Sequence, residues 1–316
     1  MTDPGETVPD LPHADRIRSF KLRDGIATVI TEAGGLDKAG RDSMERDIRE
    51  AAEKIEGVSE ARVAMTASDP RRTVIAIGSG KGGVGKSTMS ANLAIALARS
   101  GRKVGLIDAD VYGPSQPTLL GNKGQPTAEN ERLIPIEAHG IRFLSLGNLV
   151  KPGQALAWRG PMATGALAKL LEADWADCDT LLVDLPPGTG DVQISLIQKL
   201  RPDGAVIVST PQDLSLIDAE RAVDLFNRVQ VPVLGLIENM SGYQCPHCGE
   251  DSDPFGSGGA EAGAKRMHIP FLGKLPLSVA IRSASDAGTP VALDEAETAF
   301  ANLAKAMMES LEKLSR

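Results

Sequence analysis

The chain has 316 residues, 42% of them apolar, enough for one large α/β domain or one domain with a small companion. Its net charge is −8 and its lysines and arginines are scattered, so no basic stripe marks it as a partner of nucleic acid or of an anionic membrane surface. No run approaches the ~18 apolar residues of a membrane span. The opening residues lack the basic and apolar regions of a secretion signal, and three cysteines suit a reducing compartment better than a disulfide scaffold, so the expected location is the cytoplasm.

Residues 1–12 are acidic and proline-bearing and read as a disordered tail. Residues 22–30 carry mixed apolar patterning, 36–40 read as a turn, and 41–55 place Met44, Ile48, Ala51, Ala52 and Ile55 at helical spacing, with Gly57 as the stop. Residues 58–65 alternate as a strand, and the polar run 68–72 breaks the pattern. This predicts a small N-terminal α+β domain over 1–70 and a second domain over 71–316.

Val74, Ile75 and Ile77 form a short apolar run like a buried strand, and residues 80–88 follow as Gly-Lys-Gly-Gly-Val-Gly-Lys-Ser-Thr before a helical pattern opens at Ser87. Residues 80–87 fit G-x-x-x-x-G-K-S/T. Such glycines let backbone N–H groups close around phosphate oxygens at the positive end of a helix. Lys86 would reach the terminal phosphates and the Ser87 hydroxyl would hold Mg²⁺. A ligand-free glycine turn is the competing reading, but it does not require all eight positions in a strand and helix context.

Lys81 is not demanded by the general motif, and beside Lys86 it is repelled unless a polyphosphate is present. With it, Gly80, Lys81, Gly82, Gly83, Val84, Gly85, Lys86, Ser87 and Thr88 resemble the deviant phosphate loop of the family that holds ParA, MinD, the nitrogenase iron protein and the Mrp/ApbC iron-sulfur carriers. The resemblance implies that Lys81 crosses a dimer interface to the partner's nucleotide, and hence a homodimer with ATP between its subunits. The stretch 51–66 weakly resembles the small domain that often precedes the ATPase in Mrp-type proteins, although that domain's cysteine-bearing part is not visible here. A structural or docking role is expected of it.

Beyond the loop, Met89, Leu93, Ala96 and Leu97 line one helix face and Gly101 stops it. Residues 103–108 form the next strand and end in Asp108 and Asp110, where an open parallel sheet binds ligands. Turn-forming or capping is the plainer role for such acids. These residues resemble the family's first switch, which implies that Asp110 polarises the attacking water and that Asp108 is a structural or metal-shell carboxylate. Residues 141–146 are another apolar run, and 159–162 lead into a helix. The apolar strand 180–184 ends in Asp184, as a Walker B element must to orient Mg²⁺ through water beside Ser87. Residues 184–191 resemble the second switch of the Mrp/ApbC branch more than that of ParA or MinD. Cys178 reads as a strand-entry residue, since no second cysteine is near it.

Residues 204–210 give a strand, 213–229 a helix and 232–237 a strand. Five strands alternating with helices predict a doubly wound, mainly parallel sheet of the P-loop NTPase type. Asn239 resembles the family position that hydrogen-bonds adenine, with a plain strand-end cap as the alternative. Residues 271–277 read as a strand and turn, 281–287 follow, and a last helix runs over 295–314.

Cys245 and Cys248 stand in C-x-x-C spacing, able to hold one soft metal centre from a tight turn. Two thiolates do not complete a four-ligand site. His247, a distant ligand, or a second subunit's cysteines across a two-fold axis could supply the rest. Spacing does not choose between iron-sulfur and zinc, and a bare redox pair is a further possibility. The run 239–259 resembles the Mrp/ApbC family, which implies a 4Fe-4S cluster bridging two subunits, delivered to apo iron-sulfur proteins by a slow ATPase; zinc is the lesser expectation for the thiolates. The alternative is a ParA/MinD-like positioning or partition ATPase without a metal cluster.

Overall fold

The computed structural model describes residues 9–34, 36, 38–66, 72–129, 131–149 and 160–314. The chain forms two compact units, Met1–Arg72 and Thr73–Arg316. In the first, β1 (Ile17–Arg23) and β2 (Ile26–Glu32) form an antiparallel hairpin, and α1 (Lys38–Ala52) crosses over to β3 (Glu60–Thr66), which pairs parallel with β2. The hairpin turns on Asp24 and Gly25, both at positive φ (50° and 78°), as a two-residue connection between right-twisted strands requires. Ala27, Val29 and Thr31 alternate inward from β2, and Met44, Ile48 and Ala52 of α1 close the core over them.

Three expectations change here. Leu11 is 4% exposed and packs in this core, so the tail reading holds for none of the packed residues beyond it, and residues 1–8 lie outside the described ones. The turn expected over 36–40 gives way to α1 from Lys38, because the apolar face that α1 buries outweighs the helix cost of Gly40, about 1 kcal/mol. The helix ends at Ala52, and Gly57 (φ 87°) belongs to the turns that follow. The polar break at 68–72 lies outside the described residues except for Arg72.

The second unit is built on an eight-stranded sheet. Its strands are β4 (Thr73–Gly78), β5 (Val104–Asp108), β8 (Ile136–Ala138), β9 (Ile141–Ser145), β10 (Thr180–Asp184), β11 (Gly204–Ser209), β12 (Val233–Glu238) and β15 (Phe271–Lys274), in the order β15-β12-β11-β4-β10-β5-β9-β8. All pair parallel except β8, which turns back on β9. Alternate residues of each strand feed opposite cores. Ala76, Ile107, Val183 and Ile207 meet α4 (Gly160–Leu171), α5 (Asp191–Leu200), α6 (Asp213–Arg228) and α7 (Gly259–Arg266), whereas Ile75, Ile77, Leu106 and Val208 meet α2 (Lys86–Arg99) and α9 (Ala299–Leu314). Burial on both faces explains why these strands read as unbroken apolar runs.

Smaller elements are α3 (Gln116–Leu119), the hairpin β6 (Thr127–Glu129) and β7 (Arg132–Ile134), the hairpin β13 (Tyr243–Gln244) and β14 (Asp251–Ser252), and α8 (Val279–Ala287). The last helix starts at Ala299, not Glu295, and α2 starts at Lys86, one residue before Ser87. Cys178 is 2% exposed just ahead of β10, and Arg159 lies outside the described residues. Where α3 ends, Gly121 meets Gly288 at the end of α8 so closely that a methyl on Gly288 would lie 2.4 Å from the Gly121 Cα. The His139 ring nitrogen Nε2 lies 3.1 Å from both the Leu120 and Gly288 carbonyl oxygens and clasps the same junction. No helix among the described residues is long and apolar enough to cross a membrane.

Candidate functional site

The carboxyl ends of β4, β5 and β10 meet around the loop 79–85. Gly80 packs against α6, where a methyl would lie 2.0 Å from the Asp218 carbonyl oxygen, and Gly83 and Gly85 take positive φ (80° and 85°). Together they lay the backbone flat over the amino end of α2. A cavity of about 260 Å³ opens there, lined by Lys81, Gly82, Gly83, Gly85, Lys86, Ser87, Thr88 and Asp110 among others. Val84 faces inward, 2% exposed, and its carbonyl accepts the Asn239 side-chain amide at 2.9 Å.

Lys86 is 6% exposed, and its Nζ lies 2.5 Å from Asp184 Oδ1 and 3.8 Å from Asp110 Oδ2. Ser90, one helical turn on, donates to the same Asp184 oxygen at 3.1 Å, and Gln116 Nε2 donates to Asp184 Oδ2 at 2.9 Å and to the Ser87 carbonyl at 3.0 Å. The fully buried Asp184 is thus satisfied by one cation and two neutral donors.

Asp110 accepts the Tyr112 and Gly113 N–H groups on Oδ1 (3.0 and 3.2 Å), which folds the loop after β5 and turns Oδ2 toward Lys86. Asp108 fastens that loop from below: Oδ2 accepts Ser115 N, Gln116 N and Ser145 Oγ within 3.0 Å. Burial raises the Asp108 carboxyl from the ordinary 3.8 to about 7, with the neighbouring Asp184 charge adding to it and the hydrogen bonds and Lys86 opposing it.

A second groove of about 490 Å³ continues from the first, sharing Gly85, Thr88 and Leu119 with it and lined further by Asn239, Met240, Tyr243, Pro276, Leu277 and residues of α8. Tyr243 also opens the small lobe that carries the cysteines. Between β13 and β14, Cys245 N donates to Glu250 O (2.9 Å) and Gly249 N to Cys245 O (2.8 Å), closing a tight turn. The Cys245 thiol is held below its usual range chiefly by the Cys248 N–H, then by the His247 N–H and the Cys248 thiol. Cys248 is exposed, and no group of three or more His, Cys, Asp or Glu side chains suited to a metal occurs among the described residues.

A family model described as ParA, NUBPL iron-transfer P-loop NTPase, matches residues 71–312. The chain belongs to this family. It is 46% identical to the iron-sulfur cluster carrier protein of Deinococcus radiodurans, over 98% of this chain and 91% of that one. To the iron-sulfur cluster carrier protein of Escherichia coli it is 49% identical over 72% of this chain, a match that spans 63% of the relative's length. Among solved structures, a nucleotide-binding protein of Archaeoglobus fulgidus in complex with ADP superposes with a TM-score of 0.63 at 38% identity, covering 72% of this chain and 90% of that one.

For this P-loop NTPase, sequence reasoning passed over Ser90, Gln116, Glu238 and Tyr243. Glu238 had a usable signal: like Asp108 and Asp184 it is an acid that ends an apolar parallel strand. Gln116 follows a Gly-Pro-Ser turn and had none, since its partners lie 29 and 68 residues away.

Proposed function

We propose that the chain is an ATP-hydrolysing carrier of an iron-sulfur cluster, working as a homodimer that holds its cargo on Cys245 and Cys248 of both subunits and passes it to apo-proteins. The observation that carries this reading is the thiolate lobe: two accessible cysteines in one tight turn, half of a four-thiolate set, with no third ligand grouped beside them among the described residues. The names of the relatives and the iron-transfer family support it.

The triphosphate would lie in the loop cavity and the base in the adjoining groove, where Asn239 borders the space beside Val84. Lys86 would exchange Asp184 for phosphate oxygens, and Lys81 would serve the partner's nucleotide. The Ser87 hydroxyl would hold Mg²⁺, with Asp184 behind it through water. Ser115 Oγ and Gln116 Oε1 are buried oxygens without a partner among the described residues, a donor set that fits the water shell of such an ion. Bound there, the ion would neutralise charge on the β- and γ-phosphates. Asp110 Oδ2 would orient water for attack on the γ-phosphorus; the bond to the ADP oxygen breaks and the water's proton leaves with the phosphate formed.

The test is anaerobic reconstitution with iron and sulfide. About one 4Fe-4S cluster per dimer is expected, with zinc absent by metal analysis. Full loading of the Cys245→Ala, Cys248→Ala protein, or a monomer holding metal and ATP together, would overturn the assignment.

A further inference from the structure

Glu238, at the tip of β12, is fully buried and has no cationic partner among the described residues. Its Oε1 accepts Ser241 Oγ at 2.5 Å and Gly258 N at 2.8 Å, and its Oε2 accepts Ala260 N at 2.6 Å. Ser241 is where the chain enters the cysteine lobe; Gly258 and Ala260 are where it leaves and where α7 begins. One carboxylate therefore pins both feet of the segment that holds Cys245 and Cys248, and the amino end of α7 stabilises its charge. Glycines at positive φ, Gly242 (75°) and Gly256 (84°), stand at the two feet. Between them the segment is ordered by the two-residue pairing of β13 with β14 and by the turn that the Cys245–Glu250 and Gly249–Cys245 backbone bonds close.

The same pin adjoins the candidate nucleotide groove. Asn239, the next residue, bonds the phosphate-loop carbonyl of Val84; Tyr243 lines the groove two residues before Cys245; and Leu277 N, in the groove wall, donates to Gly242 O at 2.8 Å. A ligand in the groove would bear on Asn239, Met240 and Tyr243, and Glu238 bonds the feet of the lobe on either side.

We propose that Glu238 is a positioning residue, the fixed pivot through which occupancy of the nucleotide groove sets the exposure and spacing of Cys245 and Cys248. The proposal rests on the reading of a nucleotide-driven carrier given above. It assigns the coupling to contacts within one chain, so it can be read before any cluster is loaded.

The experiment measures the rates at which Cys245 and Cys248 react with a maleimide in the full-length apo protein, anaerobically, with Mg-ADP or Mg-ATP, site by site by mass spectrometry. Cys178 is 2% exposed and serves as an internal slow standard. The wild-type rates should differ between the two nucleotides by at least about fivefold. In Glu238→Gln, which places an amide donor against backbone N–H groups, the ratio should fall to within about twofold while ATP affinity stays within about threefold. Ser241→Ala deletes a single donor and should give an intermediate ratio if Glu238→Gln folds poorly. A wild-type ratio of one, or an undiminished ratio in both variants, overturns the proposal. Failure of the carrier reading shows separately, as wild-type protein that assembles no cluster.

Discussion

Gly85 joins the phosphate loop to the groove beside it, and replacing it with alanine isolates that junction. The residue sits at φ 85°, and a methyl there would lie 2.2 Å from Asn239 Nδ2, the atom that donates to Val84 O. Left-handed backbone costs an alanine about 1–2 kcal/mol. Displacing the Asn239 amide adds about 1–3 kcal/mol for overpacking, with the lost hydrogen bond inside that range. Gly85→Ala should therefore destabilise the second unit by about 2–5 kcal/mol. In an Asn239→Ala background the obstruction is gone and only the backbone term, about 1–2 kcal/mol, should remain. Urea denaturation of the four proteins, followed by tryptophan fluorescence, reports on the second unit, because the sequence's two tryptophans both fall in the range Thr73–Arg316 and Trp175 is packed in its core. Equal costs of Gly85→Ala in the two backgrounds would refute the reasoning.

Lys86→Met strands a carboxylate that is 0% exposed, and although Ser90 and Gln116 still donate to Asp184, a loss of about 3 kcal/mol is expected by denaturation; a change under about 1 kcal/mol would count against the pairing seen here. The same variant should lose nucleotide retention in a filter assay. Asp108 makes stability depend on pH in a set direction. Its folded value, about 7, lies above the ordinary 3.8, so the unfolded chain releases the proton first as pH rises. The stability of wild type relative to Asp108→Asn should then fall between about pH 4 and 7 and level off above. A relative stability that climbs over that interval would contradict the assigned cause.

The sheet was readable because each parallel strand is buried on both faces and announces itself as an apolar run, and because the phosphate loop is a local pattern of glycines and lysines. Short elements such as β6, β7, β13 and β14 bury little and are held by partners, so no periodicity betrays them. At the site, Lys86, Ser87 and Asp184 were candidates from motif and strand position, and Asp110 from the family resemblance. Their mutual geometry could not, since it depends on Gln116 reaching from α3 to Asp184 and on Asp108 gripping Ser115 and Gln116. Asn239 stood out by its resemblance to an adenine-binding position, with a strand-end cap as the alternative, yet its bond to Val84 spans 155 residues and leaves no trace in local sequence.

No side chain cushions the meeting of Gly121 with Gly288. Because α3 carries Gln116, which grips Ser87 and Asp184, this backbone contact, clasped by His139, ties the phosphate loop to α8, whose residues wall the neighbouring groove. In the proposed carrier, phosphate and base would then be gripped by one connected frame, which a larger residue at either glycine should pry apart.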